Sequence, residues 1–318
     1  MWDFSISRTA GILAQTAPFI RFRLAVYFAI ALIYLLTFGL GSGIGYVAGV
    51  LIGMPSIGRV VGGAMSLGLV TYGLGWARDY LFQLVKAPHI LAMTRAIYSV
   101  PVSSANDEPV GHAQSVIRER FGETRALVHL SQTIGAVLSL VAKVMADAGQ
   151  LMPALGKSSR IARVLARVSI VRTNEIILGY DLHEQRGKPS DGCRQGLILY
   201  AQNVRRLAKN ALWLATFRWM SAALFFLMII GPVTAIGYVL PGAAWAFGLI
   251  FSAILTWAFK VSVLEPFSTA ALMDVYLHSI EGQLPNPKWE AHLASASSDF
   301  RSLSIPSAHD ADVEREAS

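Results

Sequence analysis

The stretch FRWMSAALFFLMIIGPVTAIGYVLPGAAWAFGLIFSAILTWAFKVSVLE, Phe217–Glu265, decides the fold class. Between Arg218 and Lys260 it carries no charge. One bilayer crossing takes ~20 apolar residues, so this interval holds two crossings and turns between them, at Pro241-Gly242. Lipid offers the backbone no hydrogen bonds, which leaves helices or closed barrels as spanning structures. The apolar runs are continuous, without the alternation of a barrel strand, and the expected fold is an all-α integral membrane protein.

A second charge-free run extends from Leu24 to Gly58, and Val60 to Trp76 follows it, closing on Arg78-Asp79. The Leu/Ile/Phe-rich first half of the run is the crossing. Its second half carries Gly39, Gly41, Gly43, Gly45, Gly49 and Gly53, which permit either close helix approach or a break with a re-entrant turn. Gly62-Gly63, Gly68, Gly73 and Gly75 predict a tightly packed face on the return helix. Four crossings in two hairpins result, with amphipathic helices elsewhere. Ala126 to Ala142 is a possible fifth, although His129 and Gln132 interrupt it.

The chain divides into an interfacial segment (1–20), a first hairpin with a helical extension (21–98) and an amphipathic region (99–210). A second hairpin with its extension (211–282) and a short C-terminal helix with an acidic tail (283–318) complete it. Apolar residues make up 54% of the chain and mean hydropathy is +0.49, above the ordinary soluble range of about 45–50% apolar.

Of 27 basic residues, 18 fall in 78–210. A basic surplus beside membrane segments marks the cytoplasmic side, so both termini and the central block are expected inside a bacterial inner membrane. No nucleic-acid-binding motif accompanies the charge, and no nucleic-acid partner is expected. Arg160, Arg163 and Arg167, then Arg205, Arg206 and Lys209, lie beside apolar stripes. That pattern fits helices resting on anionic lipid headgroups or ordinary amphipathic helices packed on one another.

Pro287 to Leu303 reads as one amphipathic helix, with Asn286 as cap, Pro287 in the first turn and Trp289, Leu293, Ala296, Phe300 and Leu303 on one side. Ser304 to Ser318 reads as disordered. The single cysteine, Cys193, leaves no internal disulfide framework. The apolar run after Arg21 and Arg23 exceeds a signal h-region and is read as a retained anchor.

The two hairpins share an ordered series. Phe22-Arg23 matches Phe217-Arg218, Ile44–Val47 matches Ile236–Val239, and Trp76-Ala77 matches Trp257-Ala258. Pro88 then matches Pro266, and Met93 matches Met273. A duplication with both repeats entering from inside predicts a pseudo-two-fold axis along the membrane normal. The alignment sets Lys86 near Glu265, and Glu265, with Lys86 or Lys260, is a candidate for a polar cavity between hairpins; the alternative is a charge on a helix leaving the membrane.

No HExxH, GxSxG or Walker pattern is present, so no enzyme activity, metal or cofactor is expected. His183-Glu184, with Asp181 and Glu175 nearby, is read as a solvated charged helix end in preference to a cation site.

Through Tyr200–Asn203, Lys209–Ala211, Leu264–Phe267, Leu272-Met273 and Pro285–Ala291, the chain resembles a family of bacterial inner-membrane proteins of uncharacterised activity. Over about residues 175 to 282 the order of elements is also similar to the choline-transporter-like family. That likeness implies movement of a small cationic solute or lipid headgroup. The chain lacks a large exported cysteine-bearing loop and has fewer crossings, and no functional residue carries over. Two functions compete: a non-enzymatic membrane organiser or complex subunit, working as a homo-oligomer or with partners, and a transporter or channel that uses Glu265.

Overall fold

A computed structural model describes residues 2–101, 108–122, 124–147, 174–185, 187–239 and 247–304. Within them the chain is helical: α1 (Ile6–Gln15), α2 (Ala17–Leu51), α3 (Pro55–Leu81), α4 (Ala87–Ile97), α5 (Pro109–Phe121), α6 (Thr124–Asp147), α7 (Asn174–Glu184), α8 (Pro189–Val239), α9 (Gly248–Phe259), α10 (Glu265–Ile280), α11 (Pro287–Ala296) and α12 (Ser298–Ser302). Two π-helical turns, Phe82–Lys86 and Lys260–Leu264, join α3 to α4 and α9 to α10. The turn at Pro241-Gly242, the basic stretch with Arg160, Arg163 and Arg167, and the acidic tail lie outside the described residues.

The chain separates into two compact units: a hairpin unit, Ala17–Val85 with Phe217–Pro266, and a helical body, Met1–Thr16, Lys86–Thr216 and Phe267–Ser318. Five described helical runs are long and apolar enough to cross a membrane by length and composition, one more than the four-crossing count: Ala17–Leu51, Pro55–Ile97, Thr124–Lys143, Pro189–Ile236 and Gly248–Ile280. Thr124–Lys143 differs from the rest. It buries Leu127, Ile134, Val137, Leu138 and Val141 and exposes Arg125, His129, Gln132, Ser139 and Lys143, the two-faced pattern of a helix packed on protein.

In the hairpin unit α2 continues unbroken to Leu51, so the glycines serve close approach and not a re-entrant break. A Cβ at Gly41 or Gly45 would strike the carbonyl oxygens of Gly62 or Gly58, and one at Gly49 would strike Met54. These glycines are spaced by four and share one face of α2, so the backbones of α2 and α3 touch directly. The chain reverses at Gly53, whose φ is +75°, and Pro55 opens α3 at a position whose N–H has no helical acceptor. Gly68, Gly73 and Gly75, expected on a packed face, have open space around them. Leu32, Ile33, Leu36 and Leu40 on α2, and Leu224 and Leu227 on α8, are exposed apolar side chains, as a lipid-facing surface requires. Inside the unit, Phe38 meets Phe247 edge-on at 4.9 Å, and Phe225 stacks on Phe259 at 4.1 Å.

The helical body has its own core. Leu91, Met93, Ile117, Leu127, Ile134, Ile176, Tyr200 and Tyr276 are fully buried. A Cβ at Gly179 would strike Met273 and Thr94, which marks a close three-way meeting of α4, α7 and α10. The predicted single helix after Asn286 is two. Asn286 caps α11 as expected, accepting from Lys288 N–H at 2.9 Å. Ser297 leaves helical geometry at φ −132°, ψ 121° and accepts from Phe300 N–H at 3.1 Å to start α12. A serine that can cap competes with helix continuation.

Candidate functional site

Pro88 and Pro266 each follow a π-helical turn. Proline has no N–H to continue an α-helical ladder, and one inserted residue relieves the misfit. At the second turn the Glu265 N–H donates to Lys260 O, which removes the α-helical donor for Val261 O. Its π-helical donor would sit at Pro266, which has none. The Arg23 guanidinium fills the position, donating from Nη2 to Val261 O at 3.1 Å, and Arg23 is only 3% exposed.

Glu265 is 2% exposed in the hairpin unit, one turn beyond that carbonyl, and Arg218 is buried in the same unit. Lys260 lies over the Trp219 ring at 3.9 Å, a cation–π contact at the end of a crossing. Lys86 belongs to the helical body, where its Nζ lies 3.8 Å from Glu175 Oε1, while Thr269 donates to Glu175 Oε2 at 2.7 Å. Of the candidate trio, Lys86 is thus engaged by Glu175, and Lys260 by an indole.

On α8, two of the three basic residues meet an acidic partner while staying partly exposed. Asp3 Oδ2 lies 2.9 Å from Lys209 Nζ and 3.6 Å from Arg206 Nε, and Asn210 donates to it at 2.8 Å. The Asn210 hydrogen bond, followed by the Lys209 and Arg206 charges, holds the Asp3 carboxyl below its ordinary range despite partial burial. Arg205 is exposed. Beside this clamp Trp2 stacks on Phe4 and meets Trp213 edge-on at 5.5 Å, a pair of amphipathic rings of the kind found at membrane interfaces.

The helix end read as solvated is divided: His183 is exposed and Glu184 half-buried, while Asp181 and Glu175 are inside. Asp181 is fully buried, and Arg120 grips it through Nη2 at 2.7 Å and Nε at 3.3 Å while donating to Gly187 O at 2.8 Å. Burial still pushes the Asp181 carboxyl up against the pull of Arg120. Glu175 is 6% exposed. Among the described residues no group of three or more His, Cys, Asp or Glu could hold a metal ion.

Farther along, a pocket of about 330 Å³ opens in the helical body, lined by Tyr98, Tyr180, Glu184, His278, Glu281 and Gln283, with apolar neighbours. His183 stacks flat on Tyr98, with centroids 3.6 Å apart and planes 5° apart. Desolvation, then the charges of Glu184 and Glu281, pushes the Tyr98 phenol up to about 12. Arg8 Nη2 lies 2.9 Å from His278 Nε2; since arginine only donates, that nitrogen accepts, and Nδ1–H donates to Asp274 O at 2.8 Å.

Burial lowers the His183 pKa, with Glu184 opposing. A folded-state pKa below the unfolded value means stability that is present above the ordinary imidazole range of about 6.5 and lost as pH falls through the folded value. The melting temperature of the purified protein should therefore decline on acidification below about pH 6.5, and His183→Phe, which keeps a ring on Tyr98, should flatten that decline. An unchanged acid slope in scanning fluorimetry of the variant would refute the assignment.

Neither the π-turn cap nor the pocket was found from sequence, although the matched Pro88 and Pro266 marked where the helices are interrupted. No family model, curated protein or solved structure matches the chain. The fold and these sites define an all-α membrane protein.

Proposed function

We propose that the protein is a non-enzymatic, multi-pass protein of a bacterial inner membrane, with cytoplasmic termini, that organises or completes a membrane complex. One observation carries this reading: charges of the hairpin unit serve its own architecture. Arg23 caps Val261 O and Lys260 covers Trp219. Glu265 shares its unit with two buried guanidinium groups, Arg23 and Arg218, an electrostatic setting that opposes passage of a cation.

The burial of Glu265 at a π-helical interruption favours the second reading, transport of a small cationic solute or headgroup as in choline-transporter-like proteins, because π-turns recur at functional sites. Two measurements separate the two. Mass photometry of particles extracted directly into nanodiscs should give a species heavier than one 34.4 kDa chain with its lipid, and vesicles holding purified protein should take up choline no faster than empty ones. Monomeric particles together with saturable uptake abolished by Glu265→Gln would replace the organiser with the transporter.

A further inference from the structure

Three helices of the body end at one pocket. Ile97 ends α4 and Tyr98 caps it, Glu184 ends α7, and Ile280 ends α10 with Glu281 to Gln283 just past it, all of them lining the same 330 Å³ space. Each end is cut sharply by a left-handed residue: Ser99 at φ 57°, Gln185 at φ 47° and Gly282 at φ 72°. A helix C-terminus carries partial negative charge, and here cap groups already satisfy Thr94, Arg95 and Ala96 O on α4, Asp181 O on α7 and Ser279 and Ile280 O on α10, which leaves the carboxylates as the charged acceptors of the pocket. Three such ends, two carboxylates and the phenol of Tyr98 therefore face one space, and no lysine or arginine is among its described lining residues.

We propose that this pocket binds a guanidinium group, supplied either by an arginine side chain of a partner protein or by a free guanidino compound. This goes beyond the organiser reading and stands whether or not that reading survives. A lining of acceptors calls for a cation with several N–H donors, and guanidinium presents five in a planar fork that also lies well against aromatic rings. A quaternary ammonium fits less well, because it has no N–H for the carboxylates. Beside the pocket, the Arg8 guanidinium at the His278 ring is met by Asp274 at 3.1 Å.

The test is calorimetric titration of the full chain in detergent with arginine methyl ester, with the peptide acetyl-Gly-Arg-Gly-amide and with tetramethylammonium chloride, at constant ionic strength. The two guanidinium probes should bind saturably and tetramethylammonium should not. Glu281 is exposed, so Glu281→Gln and Glu281→Lys should fold normally, the first weakening binding roughly fivefold and the second by tenfold or more. Peptide binding as tight as the ester's assigns the site to a partner's arginine; binding of the ester alone assigns it to a free compound. Absence of saturable guanidinium binding below ~10 mM, equal binding of tetramethylammonium, or indifference to both substitutions would overturn the proposal.

Discussion

Replacing Arg120 with methionine should destabilise the helical body by about 3–5 kcal/mol, the cost of leaving a buried carboxylate without its counter-charge. Asp181 has no exposed surface, and Arg120 supplies two hydrogen bonds to it and a third to Gly187 O. Without the guanidinium, the carboxylate cannot turn to water, because Gly192 packs against it so closely that a Cβ there would strike Asp181 Oδ1. The melting temperature should drop on the order of 10 °C. Replacing both partners, Arg120→Met with Asp181→Leu, should recover much of the loss, since the desolvation cost then vanishes with the charge. A single variant that melts within a degree or two of wild type would show that the pair contributes nothing.

Gly45→Leu should have a comparable effect on the hairpin unit, through shape alone. Even the first carbon of a side chain at position 45 collides with the Gly58 carbonyl, and overpacking of this kind costs about 1–3 kcal/mol when neighbours can yield; backbone yields less than side chains do. Gly43→Leu is the internal control. A Cβ there meets nothing, so the same added bulk in the same helix should be tolerated. Detergent stability measured by fluorescence size-exclusion after heating should separate the two variants, and equal behaviour would mean that α2 and α3 do not meet on the Gly41, Gly45, Gly49 face.

That contrast shows what the residue pattern carries and what it withholds. Charge-free runs near Leu24 and Phe217 report solvent, because no partner inside a protein could satisfy a backbone crossing lipid except the backbone itself; they led directly to an all-α membrane fold. The crowding of glycines was equally visible, but which of them touch depends on helical phase, and Gly39 and Gly43 face open space while Gly41 and Gly45 do not. Asp181 sits in Gly-Tyr-Asp-Leu-His-Glu, a string that looks solvated. Its partner lies 61 residues upstream, and no local periodicity signals a contact at that separation. The 330 Å³ pocket is assembled from the ends of α4, α7 and α10, which no window of sequence brings together. Around Ser297 the apolar spacing picks out the buried Leu293, Phe300 and Leu303 but also the exposed Ala296, and it misses the break, because a serine gives the same polar mark whether it rides a helix or caps the next one.

The capped carbonyl of Val261 bears on how the protein is made. Arg23 and Val261 are separated by 238 positions, so during synthesis the first hairpin is made long before the acceptor for its guanidinium exists. Until then the N–H groups of Arg23 have only water or lipid headgroups to meet. Burial of that guanidinium thus becomes conditional on the arrival of the second pair of helices.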